Sequence, residues 1–161
     1  MAVIADDGLW RDVGDLRTPF LLLGLGRPLL RRENGLRDSA RAAEALAFTS
    51  VLTEGLKRTV RERQPNGDGL DSFPSGHAST TFTVATMNAA YSPREAPLWY
   101  AGATLISISR NETGAHFFHD VVAGAALGYG VARALIGRPN GVLIAPIFSH
   151  EARGATLSFR F

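Results

Sequence analysis

Two histidines in short polar motifs are the residues of this sequence best suited to chemistry. The first, His77, follows Ser75 and Gly76 at the predicted start of a helix. A helix N-terminus presents unpaired backbone N–H groups and a partial positive charge, so it can hold an anion, and glycine lets that anion approach the backbone. His77 could then hand a proton to a leaving-group oxygen. The alternative is an ordinary helix cap beside a surface histidine.

The second histidine, His116, precedes Asp120 by four residues, a spacing that places both on one face of a helix. A carboxylate that holds one imidazole nitrogen fixes the tautomer and leaves the other nitrogen free. Such a histidine can act as a nucleophile or a base. The alternative is a capping pair. His119 lies off this face and is interpreted as a bystander, as is His150 in the terminal loop.

Two cations accompany the histidines along the chain. Lys57 is the only lysine, and Arg110 lies six residues before His116. Phosphoryl groups need cations on their oxygens, and arginine supplies bidentate contacts where lysine supplies a point charge. Alone, either residue would be interpreted as a solvated surface group. Together with the two histidines, they predict a phosphate-binding site.

In order and spacing these residues resemble the type 2 phosphatidic acid phosphatase superfamily, over residues 57–130. That family carries three motifs: Lys, six residues, Arg-Pro; Pro-Ser-Gly-His; and Ser-Arg, five residues, His, three residues, Asp. The second motif is residues 74–77 and the third is residues 109–120, and both match at every fixed position. The first motif departs from the pattern, since Gln64 precedes Pro65 where the family has arginine.

The uncharged Gln64 leaves the predicted site one cation short. On a continuous helix, Gln64 would fall within about 20° of Lys57 and Arg61 within about 40°, at roughly 100° per residue. Arg61 could therefore reach the same side, and so could Arg63 if the helix unwinds before the proline. These two arginines are the predicted substitutes for the missing cation.

The resemblance implies a role for each matching residue. His116 would be the nucleophile that forms a phosphohistidine, Asp120 would orient it, and His77 would protonate the leaving group and then activate water. The implied phosphate-binding residues are Lys57, Gln64, Ser75, Gly76 and Arg110. No cofactor and no metal are implied. A helix N-terminus should lower the pKa of His77, whereas a bound phosphate dianion would raise it.

The implied function is a metal-independent phosphatase acting on phosphate monoesters or diphosphates. Aromatic residues beside the motifs, Phe73, Phe117 and Phe118, favour a lipid-linked substrate. Three alternatives remain open: a soluble non-specific acid phosphatase, a weakened or non-catalytic binding module lacking the arginine at position 64, and a vanadium-dependent haloperoxidase. The last is an alternative because the family's site also binds vanadate in those much larger enzymes.

Net charge and cysteine content limit the binding partners and the kinds of site that are possible. The net charge of +2 comes without a dense Lys/Arg block, so no nucleic-acid partner is expected. The absence of cysteine excludes disulfides, thiolate metal sites and cysteine nucleophiles.

The apolar runs at 96–109 and 121–136 are shorter than the roughly 20 residues that span a bilayer, which favours buried helices over the alternative of membrane-surface association. No signal peptide is recognised, although the family context implies the periplasm or an outward-facing membrane side. The oligomeric state is not indicated.

The pattern predicts an all-α fold: one domain over residues 1–161, built as a helical bundle of about five to six helices with a small C-terminal β-hairpin at about 141–161. A short amphipathic helix at 7–17 is followed by a helix capped by Thr18. A long helix at 38–63 would start at Asp38 or Ser39 and bury Leu52, Leu56 and Val60. Three further helices are predicted at 76–91, 93–110 and 116–136, the last with glycines that permit close contact.

Overall fold

The computed structural model describes residues 7–31, 33–136, 143–148 and 153–158. The α-helices among these residues are α1 (Asp7–Asp15), α2 (Arg17–Gly26), α3 (Gly35–Val60), α4 (Gly76–Tyr91), α5 (Ala96–Glu112) and α6 (Phe118–Ile136). Short 3-10 turns precede α3 and α5, at Arg27–Leu30 and Pro93–Glu95. The predicted all-α class is therefore confirmed.

Two strands follow the helices. β1 (Leu143–Phe148) pairs antiparallel with β2 (Arg153–Ser158), with Leu143 opposite Ser158. The intervening turn and both outer ends of the predicted hairpin lie outside the described residues. The packing of a C-terminal hairpin on the bundle consequently stays a prediction.

Helix α4 lies at the centre of the bundle, in contact with α3, α5 and α6. Its buried face combines small apolar residues with threonines, whose hydroxyls donate to carbonyls one turn earlier, as Thr81 does to His77 O at 2.7 Å. Two hydroxyl pairs connect α4 to α3: Thr49 with Thr83 at 2.8 Å and Thr53 with Ser79 at 2.9 Å. Because every hydroxyl in these bonds has a partner, burying them costs little.

Close contact between α4 and α6 depends on glycine. A Cβ at Gly124 would lie 2.5 Å from Ser75 O, and one at Gly128 would lie 2.1 Å from Ser79 O. Real Cβ atoms do not approach a backbone oxygen so closely, so larger residues would push the helices apart. The predicted close contact at these glycines is confirmed, and it brings the starts of α4 and α6 together.

The buried face predicted for α3 is wrong. Leu52, Leu56 and Val60 are 46%, 38% and 47% exposed. Instead α3 buries small residues, namely Gly35, Ala42, Ala45, Thr49 and Thr53. The reason is the polar, small-residue surface of α4, which accepts close packing by hydroxyls and alanines but leaves no space for leucine.

Three predicted helix ends also differ from the structure. Helix α3 begins at Gly35, before Asp38 and Ser39, and the Ser39 hydroxyl donates to Leu25 O instead of capping the helix. Helix α2 begins at Arg17, so Thr18 is helical and caps nothing. Helix α6 begins at Phe118, after His116.

The N-terminal helices lie across the bundle beside the predicted site. Leu16 alone separates α1 from α2; α1 packs on α5 and α2 packs on α4. The contact of α2 is tight at Gly24, whose carbonyl accepts a 2.9 Å hydrogen bond from Asn88 Nδ2. No helix in the described part of the chain has the length and hydropathy required to cross a membrane.

Candidate active site

The second and third sequence motifs meet through the backbone. Ser75 N donates a 3.0 Å hydrogen bond to Asp120 O, which joins the start of α4 to the first turn of α6. Ser75 is fully buried as the N-cap of α4, and its hydroxyl accepts from Ala78 N at 3.4 Å. The cap expected from a Pro-Ser-Gly sequence is therefore present. It exposes the amide of Gly76 at a helix N-terminus, which suits an anion.

The His116 and Asp120 side chains lie together although His116 precedes the helix. His116 Nδ1 is 3.9 Å from Asp120 Oδ2, and the aspartate is fully buried. The same Oδ2 accepts hydrogen bonds from Ser72 Oγ at 2.5 Å and from Phe117 N at 2.8 Å. The carboxylate is thus held by two donors, one of them at the start of α6. It both caps that helix and faces the imidazole.

The backbone of His116 is hydrogen-bonded to the last turn of α5. Its backbone N–H donates to Arg110 O at 3.1 Å, and its carbonyl accepts from Asn111 Nδ2 at 3.0 Å, so the loop is fixed to the end of α5. Nδ1 is buried without a hydrogen-bond partner. Catalytic hydrogen bonds in free enzymes are often long and shorten when substrate binds. Asp120 Oδ2 is the acceptor available to complete that bond.

Lys57 reaches the start of α4, and Arg110 lies close enough to that helix to lower the pKa of His77. The Cε atom of Lys57 lies 3.9 Å from where a Cβ would stand on Gly76, and its ammonium donates to Asp71 O. The Arg110 guanidinium lies against Gly14 of α1, where a Cβ would be 3.1 Å from Nη1. Its buried Nε has no hydrogen-bond partner. Half-burial lowers the pKa of Arg110 somewhat, which indicates a cation that would gain from an anion.

Both histidines have strongly lowered pKa values. Burial lowers the pKa of His77 to about 3, and Arg110, Arg17, His116 and Lys57 add to the effect in that order. Burial followed by Lys57 and Arg110 lowers the pKa of His116 to about 4, although Asp120 opposes the change. Both imidazoles are therefore neutral at pH 7. Since the same cations act on both rings, the two histidines share one positive environment.

Helix α3 ends at Val60, so the continuous helix assumed up to Gln64 does not form, although Gln64 and Arg61 still lie near Lys57. Arg61 follows with a left-handed backbone, φ 52°, and lines a pocket of about 430 Å³ together with Lys57. Arg63 is exposed and donates to Gly67 O at 3.4 Å. Gln64 donates from Nε2 to Asp71 Oδ1 at 2.7 Å.

Several residues near the site were not predicted. Asp71 accepts hydrogen bonds from Lys57 and Gln64. Ser72 donates a hydrogen bond to Asp120, and Arg17 of α2 donates one to Thr80 of α4. Asp71 and Ser72 lie within three residues of the second motif, so the sequence could have indicated that they lie near the site. Arg17 is 60 residues from His77 along the chain, and nothing in the sequence indicated the contact.

His119, interpreted from sequence as a bystander, contacts the Asp120 carboxylate. Its Nε2 is 3.0 Å from Glu62 Oε1 and 3.1 Å from Asp120 Oδ1, and its ring stacks on Phe117 at 5.4 Å. These three side chains offer imidazole and carboxylate atoms within 4.8 Å of one another, which are donor types used by zinc. Distances of this size also occur where one imidazole contacts two carboxylates without a metal ion.

Comparison with known proteins identifies the family. Residues 39–140, which include all three motifs, match the sequence profile of the PAP2 superfamily. The chain belongs to the PAP2 superfamily. The resemblance drawn from the motifs is thereby confirmed.

Curated PAP2 relatives include lipid A 1-phosphatases. That of Porphyromonas gingivalis is 36% identical over 92 residues, covering 53% of this chain and 20% of the relative. That of Rhizobium johnstonii is 29% identical over 98 residues, covering 52% of this chain and 40% of the relative. The matched part thus spans less than half the length of each of these curated relatives.

Solved PAP2-type structures share the fold. LpxE of Aquifex aeolicus superposes with a TM-score of 0.70 at 23% identity, over 82% of this chain and 86% of that one. A transmembrane PAP2 type phosphatidylglycerolphosphate phosphatase from Bacillus subtilis superposes with a TM-score of 0.65 at 19% identity, over 85% and 78% of the two chains. At these identities the comparison establishes the PAP2 helical architecture.

Proposed function

We propose that this PAP2 protein is a phosphatase that hydrolyses a lipid-linked phosphate monoester or diphosphate through a phosphohistidine on His116, without a metal ion. The observation that carries the proposal is a pair of neutral imidazoles, His116 buried and His77 half-buried, within one cluster of cations. A neutral imidazole is nucleophilic, and clustered cations attract a phosphate dianion. Membership of the superfamily and the names of its curated relatives support the same class of reaction.

In the proposed first step, His116 Nε2 attacks phosphorus while Asp120 holds the Nδ1 proton. The bond from phosphorus to the leaving oxygen breaks, and that oxygen takes a proton from His77. In the second step, His77 removes a proton from water, the resulting hydroxide attacks phosphorus, and the P–N bond breaks to release inorganic phosphate. The phosphate oxygens are bound by Lys57, Gln64, Ser75, the Gly76 amide and Arg110.

The lowered pKa of His77 is compatible with these two reaction steps, because the bound phosphate changes the charge around the ring. Burial and the surrounding cations disfavour the imidazolium, so the ring is neutral before substrate binds. A bound dianion reverses the sign of the local field and raises the pKa of His77. The proton needed by the leaving group is therefore taken up with the substrate. The free base needed for water attack is regenerated when the leaving group departs with that proton.

Phosphate release is the direct test of the proposed function. We expect the protein to release inorganic phosphate from a lipid monophosphate, a lipid diphosphate and para-nitrophenyl phosphate at rates unchanged by EDTA. Loss of activity with chelator would contradict the metal-free mechanism. Release from none of the three esters would support the weakened binding module. Halide oxidation with peroxide and vanadate would instead identify the haloperoxidase alternative.

An apolar groove beside the phosphate site favours a lipid substrate over a soluble one. The groove, of about 340 Å³, lies between α5 and the α1–α2 pair and is lined by Leu16, Leu23, Leu105 and Ile106 among others. Ile106 precedes Arg110 by four residues, so the groove ends one helical turn from a phosphate-binding side chain. We infer that the groove holds the apolar tail of the substrate. Leu22 and Leu23 of α2, 66% and 61% exposed, would face the lipid surface.

A polar substitution in the groove separates lipid from soluble substrates. Leu105→Gln is expected to lower kcat/KM on a long-chain lipid phosphate by about tenfold or more, since burying a leucine is worth about 1.5–3 kcal/mol. Its kcat/KM on para-nitrophenyl phosphate should stay within about twofold, within the scatter of surface substitutions. Leu98→Gln is the matched control: it is on the same helix, is 75% exposed, and is absent from the groove lining. Equal losses on both substrates would contradict the groove as the tail site.

A further inference from the structure

We propose that Arg17, at the start of α2, supplies the third phosphate-binding cation that the first motif lacks. The inference rests on the proposed function in naming phosphate as the ligand. It assigns a substrate-binding role to a residue outside all three motifs. The argument combines the position of the side chain, its charged surroundings and the contacts of the other candidate cations.

Arg17 is fixed on the first turn of the phosphate-binding helix. Its Nε donates a 3.1 Å hydrogen bond to Thr80 Oγ1. That hydroxyl in turn donates to Gly76 O at 2.7 Å, and Gly76 carries the amide assigned to phosphate. Thr80 follows His77 by three residues, so both lie on the same side of α4. With Nε engaged, the two Nη groups remain as a pair of parallel donors suited to phosphate oxygens.

The charged surroundings of Arg17 are those of an anion site. The side chain is half-buried, and among the described residues it makes no ion pair within 4.0 Å. Burial lowers the pKa of Arg17, and Glu54 offsets this only in part. Arg17 also acts on its neighbours: after burial and Arg110, it is the next cause of the lowered pKa of His77. Repulsion between half-buried guanidiniums would be relieved by a dianion bound between them.

In the described part of the chain, the other three candidates make no hydrogen bond to α4. Gln64 is uncharged and bonded to Asp71. Arg63 is exposed and donates to a loop carbonyl, that of Gly67. Arg61 begins the loop after α3, with its backbone in the left-handed conformation. Arg17 alone among these arginines is hydrogen-bonded to the helix that presents the Gly76 amide.

Binding of inorganic phosphate and of vanadate tests the inference without requiring turnover. Arg17→Gln is expected to raise the dissociation constant of both anions by about tenfold or more, the loss typical of one charge-assisted contact. Arg17→Lys keeps the charge but not the paired donors, so it should bind with intermediate affinity. Arg11→Gln is the control, since Arg11 is an exposed arginine of the neighbouring α1. It should bind like the wild type.

A second variant distinguishes replacement of the missing arginine from a general loss of positive charge. In the double variant R17Q/Q64R, an arginine at the family position should recover most of the lost affinity. Thermal unfolding of each variant establishes that it is folded. Wild-type affinity in a folded Arg17→Gln protein, or an equal loss in Arg11→Gln, would overturn the assignment. If the wild type binds phosphate with this Arg17 dependence but hydrolyses no ester, the proposed function fails and the cation assignment stands.

Discussion

Replacing His116 with alanine is expected to lower kcat by at least about 10³-fold on every phosphate ester, because removal of a covalent nucleophile leaves only binding and electrostatic contributions. Quenching the wild-type reaction in base should trap an acid-labile phosphoenzyme, which the alanine variant should lack. The substrate affinity should change little, since the cations and the Gly76 amide remain.

His119→Gln is the informative control for the nucleophile. His119 touches the other carboxylate oxygen of Asp120, but its side chain is 58% exposed, and contacts of exposed side chains are worth about 0–1 kcal/mol. Its activity should therefore remain within about tenfold of the wild type. Wild-type turnover in His116→Ala, or a trapped phosphoenzyme in that variant, would show that another residue attacks phosphorus.

Replacing His77 with glutamine is expected to lower kcat by about 10²–10⁴-fold for alkyl phosphates, the usual contribution of a positioned general acid. For para-nitrophenyl phosphate the loss in the first step should be much smaller, because nitrophenolate leaves without protonation. Water attack on the phosphohistidine would still lack its base. The variant should therefore show a burst of nitrophenol and accumulate phosphoenzyme.

Proton uptake on phosphate binding provides an independent measurement on the same residue. His77 has its pKa lowered to about 3 before an anion binds, so at pH 8, where inorganic phosphate is mainly the dianion, it begins unprotonated. Because the dianion raises that pKa, binding should draw a proton from solution, which calorimetry in buffers of different ionisation enthalpy can count. The glutamine variant should take up less. Equal uptake in both proteins, or a trapped phosphoenzyme without a burst, would contradict the role of His77 as acid and base.

Residues near one another along the chain made the start of α4 and the closeness of His116 to Asp120 predictable. Ser75 and Gly76 specify the start of α4 by local rules, and Asp120 reaches His116 because both lie at one helix start. The buried face of α3 was not predictable from periodicity. Leu52 and Leu56 have helical spacing, but the threonines of α4 select small partners, which only the packed structure shows.

The substitute cation was not predictable for a related reason. An ideal helix extended from α3 through Gln64 predicts Arg61 and Arg63 as the substitute cations, whereas the helix ends at Val60. The contact between Arg17 and Thr80 depends on how α2 crosses α4. Hydrophobic pattern specifies that α2 packs somewhere, without specifying which residue of α4 receives its first turn.

The hydrogen bond from Ser75 N to Asp120 O has a practical consequence. It uses main-chain atoms only, so the histidines on either side can be exchanged without removing the tie between their segments. Inactive forms should keep a preformed cradle and retain their ligand. Such inactive variants could be used to capture the native phosphate-bearing ligand from cell extracts for identification by mass spectrometry.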